Sequence, residues 1–122
     1  MNESASELVQ TGLQQLDAQD FKTAETTLRQ AADSGDAMAC TILAREYRHR
    51  FHFAVTDDDD LRYTRLAAEK GSLFDRCLMA FYTASGQESR IKKNRIEAEV
   101  WLKPVQDHPA AQGIGKLFGL LG

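Results

Sequence analysis

The sequence predicts an all-α protein, and three observations carry that expectation. Apolar residues recur at intervals of three and four through most of the chain, as helices with one buried face require. No run between turn signals alternates with period two, so no strand is expected. Finally, QAADSG at Gln30–Gly35 returns 36 positions later as LAAEKG at Leu66–Gly71. A unit of about that length holding two helices is the signature of a stacked helical solenoid, in which each pair buries its apolar face on the next.

Element by element, Val9, Leu13 and Leu16 mark one face of a first helix, and Phe21, Ala24, Leu28, Ala31 and Ala32 one face of a second. Gly35 supplies the left-handed position that ends a helix at little cost. A third helix carries Ala37, Cys40, Leu43, Ala44 and Tyr47; a fourth carries Leu61, Thr64, Ala67 and Ala68 and closes on Gly71. Leu73, Cys77, Ala80, Phe81 and Ala84 mark the fifth, and Ala98, Trp101, Leu102 and Val105 a sixth that stops before Pro109. The seventh, from Ala110 to Leu121, carries Ile114, Leu117, Phe118 and Leu121. The echo runs beyond its six letters, because Leu43 and Ala44 align with Met79 and Ala80 at the same offset.

The stretch YRHRFHFAVTDDDDLRYTRLAAEKG, Tyr47 to Gly71, resembles the second part of a Sel1-like repeat, a relative of the tetratricopeptide repeat. A tyrosine ends helix A, a loop follows, and helix B closes on a small-small-acid-x-glycine ending. Gly35, Ala39, Leu43 and Tyr47 fit the preceding helix A, and DFKTAETTLRQAADSG resembles the helix B of a unit before it. A third helix B, AEVWLKPVQDHP, keeps the aromatic Trp101. Two departures stand out. Arg50 and His52 occupy loop places where the family usually has glycine, and the third loop, Thr83 to Arg95, is about three residues longer than an ungapped pattern. The resemblance implies a short right-handed α-solenoid of about three antiparallel helix pairs plus a C-terminal helix. It would form a single domain over 1–122, with units 6–35, 36–71 and 72–108 and a closing helix over 110–121. Such repeats are mostly protein-interaction scaffolds and share no catalytic residues.

Composition narrows the function. The 122 residues, 43% hydrophobic and 27% charged with only two prolines, describe a chain able to fold around its own core. With 18 acidic against 15 basic residues it lacks the basic excess that a phosphate backbone demands, so no nucleic acid partner is expected. No apolar run approaches the roughly 20 residues that span a bilayer. MNESASELVQ has neither the basic start nor the apolar centre of a signal peptide, so a cytoplasmic location is expected. Cys40 and Cys77 sit within apolar helical patterns and are expected as buried thiols rather than a disulfide.

The chemistry-bearing stretches are few. Asp57–Asp60 is expected to start a helix, its carboxylates capping free N–H groups, because the spaced ligands and glycine turn of a cation site are missing. Arg48-His49-Arg50-Phe51-His52-Phe53 interleaves cations and rings; its phenylalanines are expected to plug the gap between units while its charges face water. His49, His52 and Asp57 lack further ligands at finger-like spacing, so no metal or other cofactor is expected. Glu46 and Glu69 read as surface carboxylates. With no nucleophile elbow, phosphate-binding glycine loop or paired cysteine motif, the chain is expected not to be an enzyme. Arg90–Arg95 is a short basic loop. The apolar, glycine-bearing C-terminus is expected to pack back on the last pair, with self-association through that end as the other outcome.

The expected function is therefore a protein-binding module. Helix A positions off the apolar stripe include Arg45, Arg48, Arg76 and Tyr82, with Lys116 on the last helix, and the loop adds His49, Arg50 and His52. In related repeats the A helices line the concave face, and these residues there would favour a protein or peptide partner bearing carboxylates. The alternative is a bacterial immunity protein that neutralises a cognate toxin, which small size and the lack of a catalytic constellation permit.

Overall fold

The computed structural model describes residues 4–54 and 58–120, so Asp57 and Leu121 lie outside the described residues. These residues form seven α-helices and no strand. The helices are α1 (Ala5–Asp17), α2 (Phe21–Asp33), α3 (Ala37–His49), α4 (Asp59–Glu69), α5 (Leu73–Ser85), α6 (Arg95–Leu102) and α7 (Pro109–Phe118), with a 3-10 turn over Lys103–Val105. They fall into two compact units, Met1–Lys70 and Gly71–Gly122.

In the first unit each helix packs on the next, α1 on α2, α2 on α3 and α3 on α4. Ser4 caps α1 by accepting the Glu7 N–H at 3.1 Å, and Asp36 caps α3 by accepting the Ala39 N–H at 2.9 Å. The seam is built from small residues: Ala24, Ala31, Ala39, Ala44, Ala67 and Ala68 are fully enclosed, with Leu28 and Leu43 filling between them. Gly35 and Gly71 follow α2 and α4 with φ of +94° and +103°, the conformation expected of them. After α2 the Gly35 and Asp36 N–H groups return to the Ala32 and Ala31 carbonyls at 2.9 and 3.1 Å. That pattern satisfies the last orphan carbonyls of a helix.

One face differs from expectation. Leu13 is 43% exposed, and the contact line of α1 runs through Val9, Gly12 and the half-buried Leu16 instead. Gly12 is the reason. The Cγ and Cδ2 of Leu28 lie 2.8 Å from where a β-carbon on Gly12 would stand, so α2 sits against bare backbone at this point.

In the second unit α5 packs on α6 and α7. Ser72 both accepts the Asp75 N–H at 3.3 Å and donates to the buried Asp75 carboxylate at 2.6 Å, a reciprocal cap on α5. Asn94 caps α6 and its N–H reaches back to the Thr83 carbonyl at 2.8 Å, tying the long third loop to α5. α6 is shorter than its apolar pattern: it ends at Leu102 and tightens into the 3-10 turn, because Pro104 has no N–H to continue the ladder. α7 does pack back on α5. Phe118 meets the Phe81 ring edge-on at 5.6 Å, Ala111 and Leu120 are buried, and Arg95 donates to the Phe118 and Gly119 carbonyls that end the helix. Leu117, expected on the inner face, points outward. Cys40 and Cys77 are buried thiols that form no disulfide, and burial pushes the Cys77 thiol up from its ordinary value. No helix among the described residues is long and apolar enough to cross a membrane.

Candidate functional site

A polar brace fixes α3 from beneath. Tyr47, near the end of α3, donates its hydroxyl to Glu25 of α2 and accepts from Arg29 Nε at 2.9 Å. The other arm of Arg29 reaches Asp59 Oδ2 at 2.9 Å, thirty residues on, while Arg62 holds Asp59 Oδ1 at 3.2 Å. The Tyr47 and Tyr63 rings stack at 5.9 Å, with the Arg29 guanidinium 5.3 and 5.7 Å from their centres. Burial, together with the hydrogen bond to Glu25, pushes the Tyr47 phenol well above its ordinary value; burial also raises that of Tyr63. Burial works against the Arg29 charge, yet Tyr47 and Asp59 outweigh it and hold the guanidinium more firmly protonated.

This brace corrects two expectations. The aspartate run does start α4, with Asp59 and Asp60 in its first turn, but Asp58 makes no side-chain cap and the buried Asp59 carboxylate is shared by two arginines. An i,i+3 arginine and a second one from α2 compete successfully for its carboxylate. Glu46 is likewise not a surface residue: it is buried and faces His52 Nδ1 at 3.1 Å.

Above the brace lies the outward face of α3. Met38, Ile42, Arg45 and His49 follow one another at helical spacing of four, three and four, so they form one strip. Met38 is 59% exposed, Ile42 half-buried, and Arg45 and His49 exposed. α3 carries one carboxylate, Glu46, and that one is turned inward, so the strip is apolar and cationic only.

The helix ends on Arg50, whose φ of +53° is left-handed, and this turn throws the loop back across the helix end. Phe51, 55% exposed, stacks on His49 at 5.1 Å and extends the strip. Phe53 alone plugs the interior, tilted against Tyr47 at 5.9 Å. His52 stacks on Phe21 at 4.4 Å, and Arg48 donates to Thr64 Oγ1 at 2.9 Å. Arg45, His49 and Arg50 are therefore presented outward, whereas Arg48 and His52 are engaged with neighbouring helices.

The remaining candidates belong to the second unit. Arg76 donates to the Trp101 carbonyl at 3.3 Å and lies 5.7 Å from that ring's centre; Tyr82 is half-buried beside Phe81. Lys116 is exposed at a shallow cavity of about 260 Å³ that Gln106, Asp107 and Gln112 also line. The outward face of α5 repeats the α3 pattern 36 residues later. Phe74, 58% exposed, stands at the Met38 position, half-buried Leu78 at that of Ile42, and Phe81 at that of Arg45. Met38 and Phe74 are the residues that charge-led reading passed over, and the 36-residue offset is the signal that finds them.

Among the described residues no group of three or more His, Cys, Asp or Glu side chains is placed to hold a metal ion. Comparison with known proteins gives no matching family model, and no curated protein or solved structure matches at a significant level.

Proposed function

We propose that the chain is a non-catalytic protein-interaction module of the Sel1-like, tetratricopeptide-like kind, a short right-handed α-solenoid that receives a protein or peptide on its A-helix side. The observation that supports this reading is the outward face of α3. Met38 and Phe51 expose large apolar groups beside Arg45 and His49, on a helix whose one carboxylate is buried. Large exposed apolar groups rimmed by charge mark contact surfaces more often than solvent faces. The excess of cations on that face, in a chain of net charge −3, suits a partner that brings carboxylates.

The test is affinity capture from the native host with the full chain and with a Met38→Asp, Arg45→Glu double variant, both positions being exposed enough to leave folding intact. A stoichiometric partner held by the wild type and lost by the variant supports the reading. A partner retained undiminished by the variant removes the α3 face from it.

A further inference from the structure

The second unit holds a small cavity where several of its segments end or begin. Ala84 near the end of α5, Lys93 of the third loop, Arg95 at the start of α6, and Phe118 and Leu120 at the end of α7 line about 220 Å³. The floor is apolar: Ala84 and Leu120 are buried, and the half-buried Phe118 ring stands edge-on against Phe81 at 5.6 Å. An apolar cavity of about 150 Å³ takes a benzene molecule, so this one has room for a short chain or a single ring.

The charged groups at the mouth are cations. Lys93 is held in place by its surroundings. Its Cβ and Cδ lie 3.3 Å from where a β-carbon on Gly86 would stand, so its stem crosses bare backbone, and Asn94 beside it donates its N–H to the Thr83 carbonyl at 2.8 Å. The Lys93 ammonium makes no hydrogen bond or ion pair with any of the described residues. Arg95 differs, because its two Nη groups donate to the Phe118 and Gly119 carbonyls and so offset the negative end of α7 that would repel an anion. Of the carboxylates on the same stretch, Glu99 lies 3.5 Å from Arg95 Nε, Glu88 is held by Arg90 at 2.9 Å, and Glu97 does not line the cavity. Lys93 and Arg95 against Glu99 leave a single positive charge in excess at the mouth.

We propose that this cavity binds a small monocarboxylic acid, its carboxylate on the Lys93 ammonium and its carbon chain or ring on Ala84, Phe118 and Leu120. One cation in excess matches one carboxylate. It does not match the roughly two charges of a phosphate monoester, whose further oxygens would meet the apolar floor without a donor. Arg95 prepares the mouth by covering the α7 carbonyls, and Lys93 makes the direct contact. All of these residues belong to one unit, and the proposal does not depend on the function proposed above.

The experiment is a titration of the isotope-labelled full chain with sodium hexanoate up to about 50 mM, followed by amide NMR shifts. The expected result is saturable shifts confined to Ala84, Lys93, Arg95, Phe118, Leu120 and their neighbours, with Kd between about 0.1 mM and about 10 mM, the range open to a ligand of so few atoms. Hexanamide, the same chain without the charge, binds at least about fivefold more weakly. Hexanoate loses as much on Lys93→Met, whose unbranched stem still covers Gly86, and Lys93→Arg keeps binding within about threefold of the wild type. Lys93 is exposed, and circular dichroism confirms that both variants keep their helices. No shift by about 50 mM, or shifts spread over the lysines without saturation, overturns the proposal. So does hexanamide bound as well as hexanoate, or hexanoate bound undiminished by Lys93→Met. Acetyl-glycyl-leucine bound at least about tenfold more tightly than hexanoate overturns the free acid in favour of the end of a peptide chain.

Discussion

Leu28 of α2 seats its branched end over Gly12 of α1, with Cγ and Cδ2 at 2.8 Å from the place of a missing β-carbon. Helix propensity alone would favour alanine at position 12 by about 1 kcal/mol, and the contact decides against it. Gly12→Ala is expected to destabilise the first unit by about 1–2 kcal/mol, since overpacking a filled core costs about 1–3 kcal/mol. Leu28→Ala alone should cost about 2–5 kcal/mol. In the double variant the two changes should relieve each other by at least about 1 kcal/mol, because each fills or frees the same space. Urea titrations of the four proteins measure this coupling, and additive costs would show that the close approach is not a constraint.

Arg29 and Asp59 tie α2 to α4 across thirty residues. Asp59→Ala leaves two arginines facing a gap beside the Tyr47 and Tyr63 rings. Removing one partner from a fully buried pair costs about 3–5 kcal/mol, and an exposed pair is worth about 0–1 kcal/mol. Arg29 is one-third exposed and Asp59 nearly enclosed, so a loss of about 1–2 kcal/mol is expected. It should change little between low and high salt, and an effect abolished by salt would mark the pair as a surface contact.

The two stacked tyrosines set an alkaline limit. Burial raises both phenols, so the fold holds their protonated forms more tightly than the unfolded chain does. Their contribution is complete below the ordinary tyrosine value of about 10 and is lost as pH rises through the raised folded values. Of three tyrosines, two should ionise late, together with loss of helical signal. Tyr47→Phe should remove one of those late steps. Phenolate absorbance followed alongside circular dichroism reads both, and three ordinary titrations in an intact helical protein would contradict the brace.

Arg50 takes the left-handed turn after α3 with a side chain that such a backbone disfavours by about 1–2 kcal/mol. Arg50→Gly is therefore expected to raise stability by up to about 1 kcal/mol, after the greater freedom of glycine in the unfolded chain. If the outward α3 face is the contact surface, the same variant should hold its partner less well. Melting temperature and partner capture on one variant separate the two effects. A variant both more stable and equally good at binding would leave Arg50 without a part in recognition.

The helices were legible because their signals are local. The stripe Ala24, Leu28, Ala31 and Ala32 and the glycines at 35 and 71 carry period and punctuation within a few residues. Sequence and structure part where a distant residue decides the outcome. Leu13 lost its inward place to Gly12 because Leu28, sixteen residues away, needed bare backbone. Asp59, in the first turn of α4, turns its carboxylate to Arg29, and Glu46 leaves the surface for His52. Charge in the sequence points to Arg45, His49 and Arg50 but equally to Arg48 and His52, whose side chains are spent on Thr64, Phe21 and Glu46. Met38 and Phe74 look like ordinary core residues in isolation. Only comparison of the two copies, with Gly35 and Gly71 as the ruler, separates an inward stripe from an outward one.

Trp101 is the single tryptophan, and it lies in the second unit beneath the Arg76 guanidinium, while the stacked Tyr47 and Tyr63 lie in the first. Each unit thus carries its own optical label without any being introduced. Indole emission follows the loss of the α5–α6 packing alone, and tyrosine absorbance chiefly follows α2, α3 and α4. One sample, heated once and watched at two wavelengths, will tell whether the two halves of this chain come apart as one cooperative body or in succession.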